Sequence, residues 1–130
     1  MNFIVLLSLL SLFSFSGPEL SFLDNRLVNY GDIAEGEKAV IEISYKNTGD
    51  NTLILYDHFP SCNCTSISYN KSTNPGETGK FVLNIDTTGK FGTETVVVKV
   101  LANTSDEYYI LRVDMNIVDN HDSKKHKKTL

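Results

Sequence analysis

The residues best suited to chemistry are two cysteines, Cys62 and Cys64, in the stretch SCNCTSISY. In an extended strand, two residues separated by one face the same side, with Cα atoms about 6.6–6.8 Å apart. Disulfides join Cα atoms that are about 4.4–6.8 Å apart, so a bond between these two needs a turn or bulge at Asn63. Such a ring closes over a single residue, and its stabilisation by loop closure is small.

The pair has four possible roles, and the residues alone leave them open. It can be two small half-buried side chains, a Cys62–Cys64 disulfide, a metal site or a thiol-redox centre. Two thiolates on one face suit a soft ion such as copper(I), and His58 lies four residues upstream. A tetrahedral zinc site needs four ligands, and redox motifs usually have the spacing Cys-x-x-Cys. We therefore expect no cofactor, with copper or zinc on Cys62, Cys64 and His58 as the alternative.

Other signatures of catalysis or nucleic-acid binding are missing from the sequence. It contains no nucleophile elbow, phosphate-binding loop or HExxH zinc motif. A nucleophilic pair of Cys62 and His58 would lack a third group to orient it. The formal net charge of -4 argues against a nucleic-acid partner. We expect a protein that is not an enzyme.

The N-terminus has the pattern of a signal peptide. Residues 3–15 are apolar apart from serines, which is too short for a membrane-spanning helix and typical of the apolar part of a leader. Ser14 and Ser16 are small residues at the -3 and -1 positions of a cleavage site before Gly17. We predict a signal peptide over 1–16, no transmembrane segment in the mature chain, and export to the periplasm, the extracellular space or the cell envelope. Export favours oxidised cysteines.

The C-terminal residues 119–130 differ in charge from the rest of the chain. They carry four lysines and two aspartates, a balance of +2, while residues 1–118 have a balance of -6. This segment has no apolar periodicity, and we predict a disordered basic tail.

Between these ends, alternating apolar residues predict about seven β-strands separated by turn residues. The segments are 27–30, 38–47, 52–59, 66–69, 80–86, 94–102 and 108–118. Alternation assigns the following residues to the interior: Ala39, Ile41, Ile43, Tyr45, Leu53, Leu55, Phe81, Leu83, Ile85, Val96, Val98, Val100, Tyr109, Leu111, Val113, Met115 and Ile117. The spacing favours one all-β domain over 17–118, an Ig-like antiparallel β-sandwich, with a small barrel as the alternative.

Three stretches resemble one bacterial family. They are VNYGDIAEGEKAVIEISYKNTGDNTLIL, SCNCT and NPGETGKFVLNIDTTGKFG. In this order they resemble the domain of unknown function 1573, whose members are similar to hydin-like Ig domains, and the resemblance covers residues 27–118. The usual cysteine motif of that family is Ser-Cys-Gly-Cys-Thr, and Asn63 stands here in place of the glycine. Asparagine tolerates positive φ better than most residues, so the same backbone is accessible. The resemblance implies an exported β-sandwich without a defined activity.

These observations favour a non-enzymatic exported module that binds another protein or a cell-surface polymer. The edge that carries Cys62 and Cys64, together with the loops, would form its contact surface. The alternative is a periplasmic metal-binding or thiol-redox protein acting through the cysteine pair and His58.

Overall fold

The computed structural model describes residues 17–120, which form nine β-strands. The strands are β1 (Leu20–Phe22), β2 (Leu27–Ala34), β3 (Lys38–Asn47), β4 (Leu53–Pro60), β5 (Thr65–Ser68), β6 (Ser72–Thr73), β7 (Thr78–Asp86), β8 (Gly92–Ala102) and β9 (Tyr108–Val118). The predicted signal peptide and residues 121–130 of the predicted tail lie outside the described residues. In the part that is described, no helix is long and apolar enough to cross a membrane.

The strands form two sheets, which confirms the Ig-like sandwich and rules out the barrel. One sheet has four strands in the order β1-β3-β7-β5, and the other has five in the order β2-β9-β8-β4-β6. Every pairing is antiparallel except that of β2 with β9, which is parallel. The exception arises because the N-terminal segment changes sheets. Its first part, β1, pairs with β3, and its second part, β2, pairs with β9 in the other sheet. Because β2 and β9 are not joined by a hairpin, their pairing need not be antiparallel.

The core contains every residue that alternation assigned to the interior, together with Leu20, Ile33 and Ala102. All of them are at most 6% exposed. The Tyr45 ring packs against the Phe81 ring across β3 and β7, with ring centroids 4.8 Å apart. Alternation identifies the interior here because successive side chains of a strand point to opposite faces of the sheet.

The structure has nine strands where the sequence predicted about seven, because two of them are very short. β1 has three residues and β6 has two, which is too short for any periodicity to show. β2 also continues through Gly31 and Asp32, where the sequence indicated a turn. The register shifts between Asn29 and Gly31, and Gly31 has φ of 87°, which glycine adopts without a steric penalty. The turn-like residues therefore make a bulge within a strand.

Candidate functional site

The two cysteines lie where the chain passes from the five-stranded sheet to the four-stranded sheet. At the start of this segment, the Ser61 N–H donates to the Val97 carbonyl oxygen on β8 at 2.8 Å. At its end, the Asp86 N–H on β7 donates to the Cys64 carbonyl oxygen at 2.9 Å. We call residues 61–64 the cysteine corner, because both sheets hold it in place.

The backbone turns at Asn63, as the disulfide interpretation requires. The Cα atoms of Cys62 and Cys64 are 5.1 Å apart, with their Sγ atoms at bonding distance. The Thr65 N–H donates to the Cys62 carbonyl oxygen at 3.2 Å and closes the turn. Asn63 does not have positive φ, so this turn does not need a left-handed residue. The substitution of Asn for Gly is therefore compatible with the corner.

The two sulfur atoms have different polar neighbours. The Cys64 N–H lies 3.2 Å from the Sγ atom of Cys62. The Thr65 hydroxyl lies 3.7 Å from the Sγ atom of Cys64. Both cysteines are half-buried and pack against the hydrophobic core. The corner therefore contributes to the packing of the sandwich edge.

His58 does not join the cysteines as a ligand set. Its Nδ1 atom lies 3.0 Å from the Tyr69 hydroxyl, and the two rings meet edge to face at 5.5 Å. Burial raises the pKa of the Tyr69 phenol, and the negative charge of Asp57 raises it further. The phenol therefore stays protonated at neutral pH and can donate to His58. Among residues 17–120, no group of three or more His, Cys, Asp or Glu side chains could hold a metal ion.

The β4 edge beside the corner is unfavourable for an incoming strand. The Ser61 N–H points toward β8, so by alternation His58 and Pro60 direct their backbone groups away from β8. The His58 N–H donates to its neighbour Asp57 at 2.8 Å, and proline has no N–H. This arrangement disfavours strand addition on β4. Among the described strands, β5, which follows the corner, pairs only with β7, and the contact surface at the cysteine edge stays a prediction.

The outer face of the five-stranded sheet presents a different candidate. Phe59, Lys99 and Ile110 lie side by side across β4, β8 and β9. In the adjacent row, Leu101 is opposite Tyr108. Phe59 is 53% exposed and Tyr108 is 46% exposed. We call these five residues the outer-sheet patch.

Charge within the patch is one-sided. The Lys99 ammonium lies 4.4 Å from the centroid of the Tyr108 ring. Along the described chain, Lys99 has no carboxylate partner within ion-pair distance, whereas the neighbouring Arg112 pairs with Asp114 at 3.2 Å. Asp57 lies opposite Leu101 in the adjacent row but forms no ion pair with Lys99. The exposed ammonium between Phe59 and Ile110 is therefore suited to an anionic group on a partner.

A strained residue lies next to the patch. Glu107 has φ of 66° and is the only non-glycine residue with positive φ in the region described. It lines a shallow depression together with Tyr56 and Leu101. Sequence reasoning missed this surface. The available signal was that Tyr108 and Ile110 are apolar although alternation places them outward.

A comparison with models of known protein families identifies the family of this chain. The sequence model of the family described as "Protein of unknown function (DUF1573)" matches residues 22–117. The chain belongs to the DUF1573 family. This confirms the resemblance drawn from the sequence motifs. A search of curated proteins finds no match to this DUF1573 chain.

Solved structures share the fold of the DUF1573 domain at low sequence identity. A protein of unknown function from Porphyromonas gingivalis W83 matches with a TM-score of 0.68 and 14% identity, covering 88% of this chain and 51% of that one. The VesB protease of Vibrio cholerae matches with a TM-score of 0.62 and 16% identity, covering 75% of this chain and 31% of that one. The ASH/PapD-like domain of human CEP192 matches with a TM-score of 0.60 and 10% identity, covering 80% and 87%. The DUF1573 chain thus spans about half or less of the two bacterial structures.

Proposed function

We propose that this DUF1573 chain is a non-catalytic module, exported to the bacterial cell envelope, that binds a partner protein through the outer-sheet patch. The observation that supports this most is the group around Lys99, in which Phe59 and Tyr108 are exposed and Leu101 and Ile110 are half-buried. Aromatic side chains with nearby cations are typical centres of protein interfaces. The apolar run at residues 3–15 supports export.

The chemistry of the patch favours a protein over a polysaccharide. Leu101 and Ile110 offer only aliphatic surface, whereas a sugar polymer would require hydroxyl or amide partners beside the aromatic rings. The partner should present apolar side chains together with an Asp or Glu that meets Lys99. Pairing of this face with the same face of a second copy would bring two Lys99 side chains together, which is unfavourable.

The similar structures also fit a binding module. The comparable domain makes up 31% of the VesB protease chain and 51% of the Porphyromonas gingivalis chain. A domain of this type therefore occurs beside other units in longer proteins. In our proposal, the sandwich provides a rigid platform and the patch provides recognition.

The cysteine pair has a structural role in this proposal. Oxidised Cys62 and Cys64 would hold the turn at Asn63, which anchors the crossing between the sheets. A metal or redox function gains no support, because the His58 ring nitrogen bonds to Tyr69. Export and a Cα separation of 5.1 Å both favour the bonded form.

Crosslinking from a single position tests the proposal. A photo-crosslinking amino acid replaces Ile110 in the full-length chain, expressed in the source bacterium, and a control chain carries it at Phe91. Phe91 is 65% exposed and lies outside the patch. We expect position 110, but not position 91, to capture a specific protein. The mature chain should begin at Gly17.

Direct binding to the purified partner then tests each side chain. We expect Phe59→Ala and Lys99→Glu each to weaken binding by about tenfold or more, as hot-spot residues do. Phe91→Ala is the matched control and should change the affinity by less than about twofold. Equal effects of Phe59→Ala and Phe91→Ala would refute the proposed surface. Capture of a polysaccharide or of a second copy through position 110 would refute the proposed partner class.

A further inference from the structure

Part of β3 has an open backbone edge, although β3 lies inside the four-stranded sheet. β7 pairs with β3 along Lys38–Lys46, but β1 pairs only with Tyr45–Asn47 on the opposite side. At Ser44 the edge is closed, because Ser44 accepts from the Leu23 N–H at 2.9 Å and its own N–H donates to Asp24 at 2.8 Å. Residues 38–43 have no strand on this side.

The direction of the free backbone groups follows from Ser44. Its N–H and C=O both point toward β1, so alternation directs those of Glu42, Val40 and Lys38 toward the same open side. These three residues also expose their side chains, and Val40 is 53% exposed. An antiparallel strand could therefore pair with three successive outward-facing residues.

The sequence of this edge is complementary to itself. If two copies pair antiparallel with Val40 opposite Val40, Lys38 of each copy lies opposite Glu42 of the other. The pairing joins two apolar side chains at the centre and sets two opposite-charge pairs beside them. Asp86 is opposite Lys38 on β7, and Lys80 lies 3.1 Å from Glu42. Across the joined sheets, the order would then be Asp86 and Lys38 of one copy followed by Glu42 and Lys80 of the other, so neighbouring charges are opposite in sign.

We infer that this chain forms a two-fold symmetric dimer in which the β3 strands of two copies join their four-stranded sheets. A symmetric dimer requires a surface that is complementary to itself, and the order Lys38-x-Val40-x-Glu42 satisfies that condition. The edge of β4 next to the cysteine corner lacks free N–H donors at Pro60 and His58. The outer-sheet patch is on the other sheet and remains free for a partner.

Charge reversal provides the test. Pairing through one short strand gives a small interface, so sedimentation velocity should cover about 10 μM to about 1 mM full-length mature protein. We expect the mass to double across this range. Lys38→Glu or Glu42→Lys alone should weaken dimerisation by about tenfold, because each creates two like-charge pairs. The double variant Lys38→Glu/Glu42→Lys should recover to within about threefold of the original affinity.

Matched variants and a second measurement keep the test specific. Lys46→Glu reverses an exposed charge on the same strand where β1 already covers the edge, and it should leave dimerisation unchanged. In hydrogen exchange, the amides of Val40 and Glu42 should become protected as the concentration rises. A monomer at all concentrations would overturn the inference. So would dimerisation that resists both single reversals, or that Phe59→Ala abolishes.

Discussion

We expect the loss of the Asn47 side chain to lower the free energy of unfolding strongly. It is fully buried at the end of β3. Its Oδ1 atom accepts from the N–H groups of Glu19 at 3.3 Å and Gly49 at 3.0 Å. Its Nδ2 atom donates to the carbonyl oxygens of Asn51 at 2.7 Å and Thr73 at 2.9 Å. One amide thus joins the residue before β1, the turn after β3 and β6.

The cost of Asn47→Ala follows from these four bonds. The bond to Thr73 is buried, and the loss of a buried hydrogen-bond partner costs about 1–3 kcal/mol. The other three bonds are partly buried, and each contributes about 0.5–1.5 kcal/mol. Water can reach some of the freed groups, so we expect a total loss of about 3–5 kcal/mol in the free energy of unfolding.

Denaturant titration of the full-length mature protein measures this loss. The midpoint should fall while the slope with denaturant stays constant, since the exposed surface on unfolding does not change. Asn47→Asp should be comparably destabilising at neutral pH, because a carboxylate oxygen would face the carbonyls of Asn51 and Thr73.

Asn29→Ala is the matched control for Asn47→Ala. The Asn29 side chain is exposed and makes one bond, with the N–H of Gly31 at 3.2 Å. This variant should cost less than about 1 kcal/mol. A loss below about 1 kcal/mol for Asn47→Ala, at unchanged slope, would refute the buried-hub argument.

Three further predictions concern strain, the cysteines and pH. Glu107→Gly should stabilise the fold by about 1 kcal/mol in thermal or chemical unfolding, because glycine adopts positive φ without strain; a destabilised variant would contradict this. The native mature protein should show no free thiol, and two titratable thiols would rule out the Cys62–Cys64 bond. Reduction of the bond should lower the free energy of unfolding by only about 1.5 kcal/mol, which is the loop-closure contribution of a three-residue loop. Hydrogen bonding from the Thr95 hydroxyl lowers the pKa of Asp114 in the folded protein. The ionised Asp114 side chain therefore stabilises the fold at pH values above its ordinary pKa of 3.8, and this stabilisation is lost as the pH falls through the lowered pKa. Thr95→Val should raise the Asp114 pKa in an NMR titration, and an unchanged pKa would show that the hydroxyl is not its cause.

Much of the fold could be predicted because the signal is local. A strand with one buried face alternates apolar and polar residues, and β3, β7, β8 and β9 show this pattern clearly. The two shortest strands carry no such pattern. They form because longer neighbours offer them backbone partners, which is a property of the assembled sheet.

The candidate site could be predicted only in part. A bond between Cys62 and Cys64 required a turn at Asn63, and the structure has one. The proximity of His58 in sequence suggested a third ligand, but its ring meets Tyr69 across the two sheets. Sequence distance does not determine which side chains meet once a chain passes from one sheet to another.

The sequence by itself determined the family and the interior face of each long strand. Each of these depends on residues that are close along the chain. The tertiary structure alone decided the parallel pairing of β2 with β9, the unfavourable edge at Pro60, the open edge at Val40 and the cluster around Lys99. These features depend on strand order and register, which arise from contacts between segments far apart in sequence.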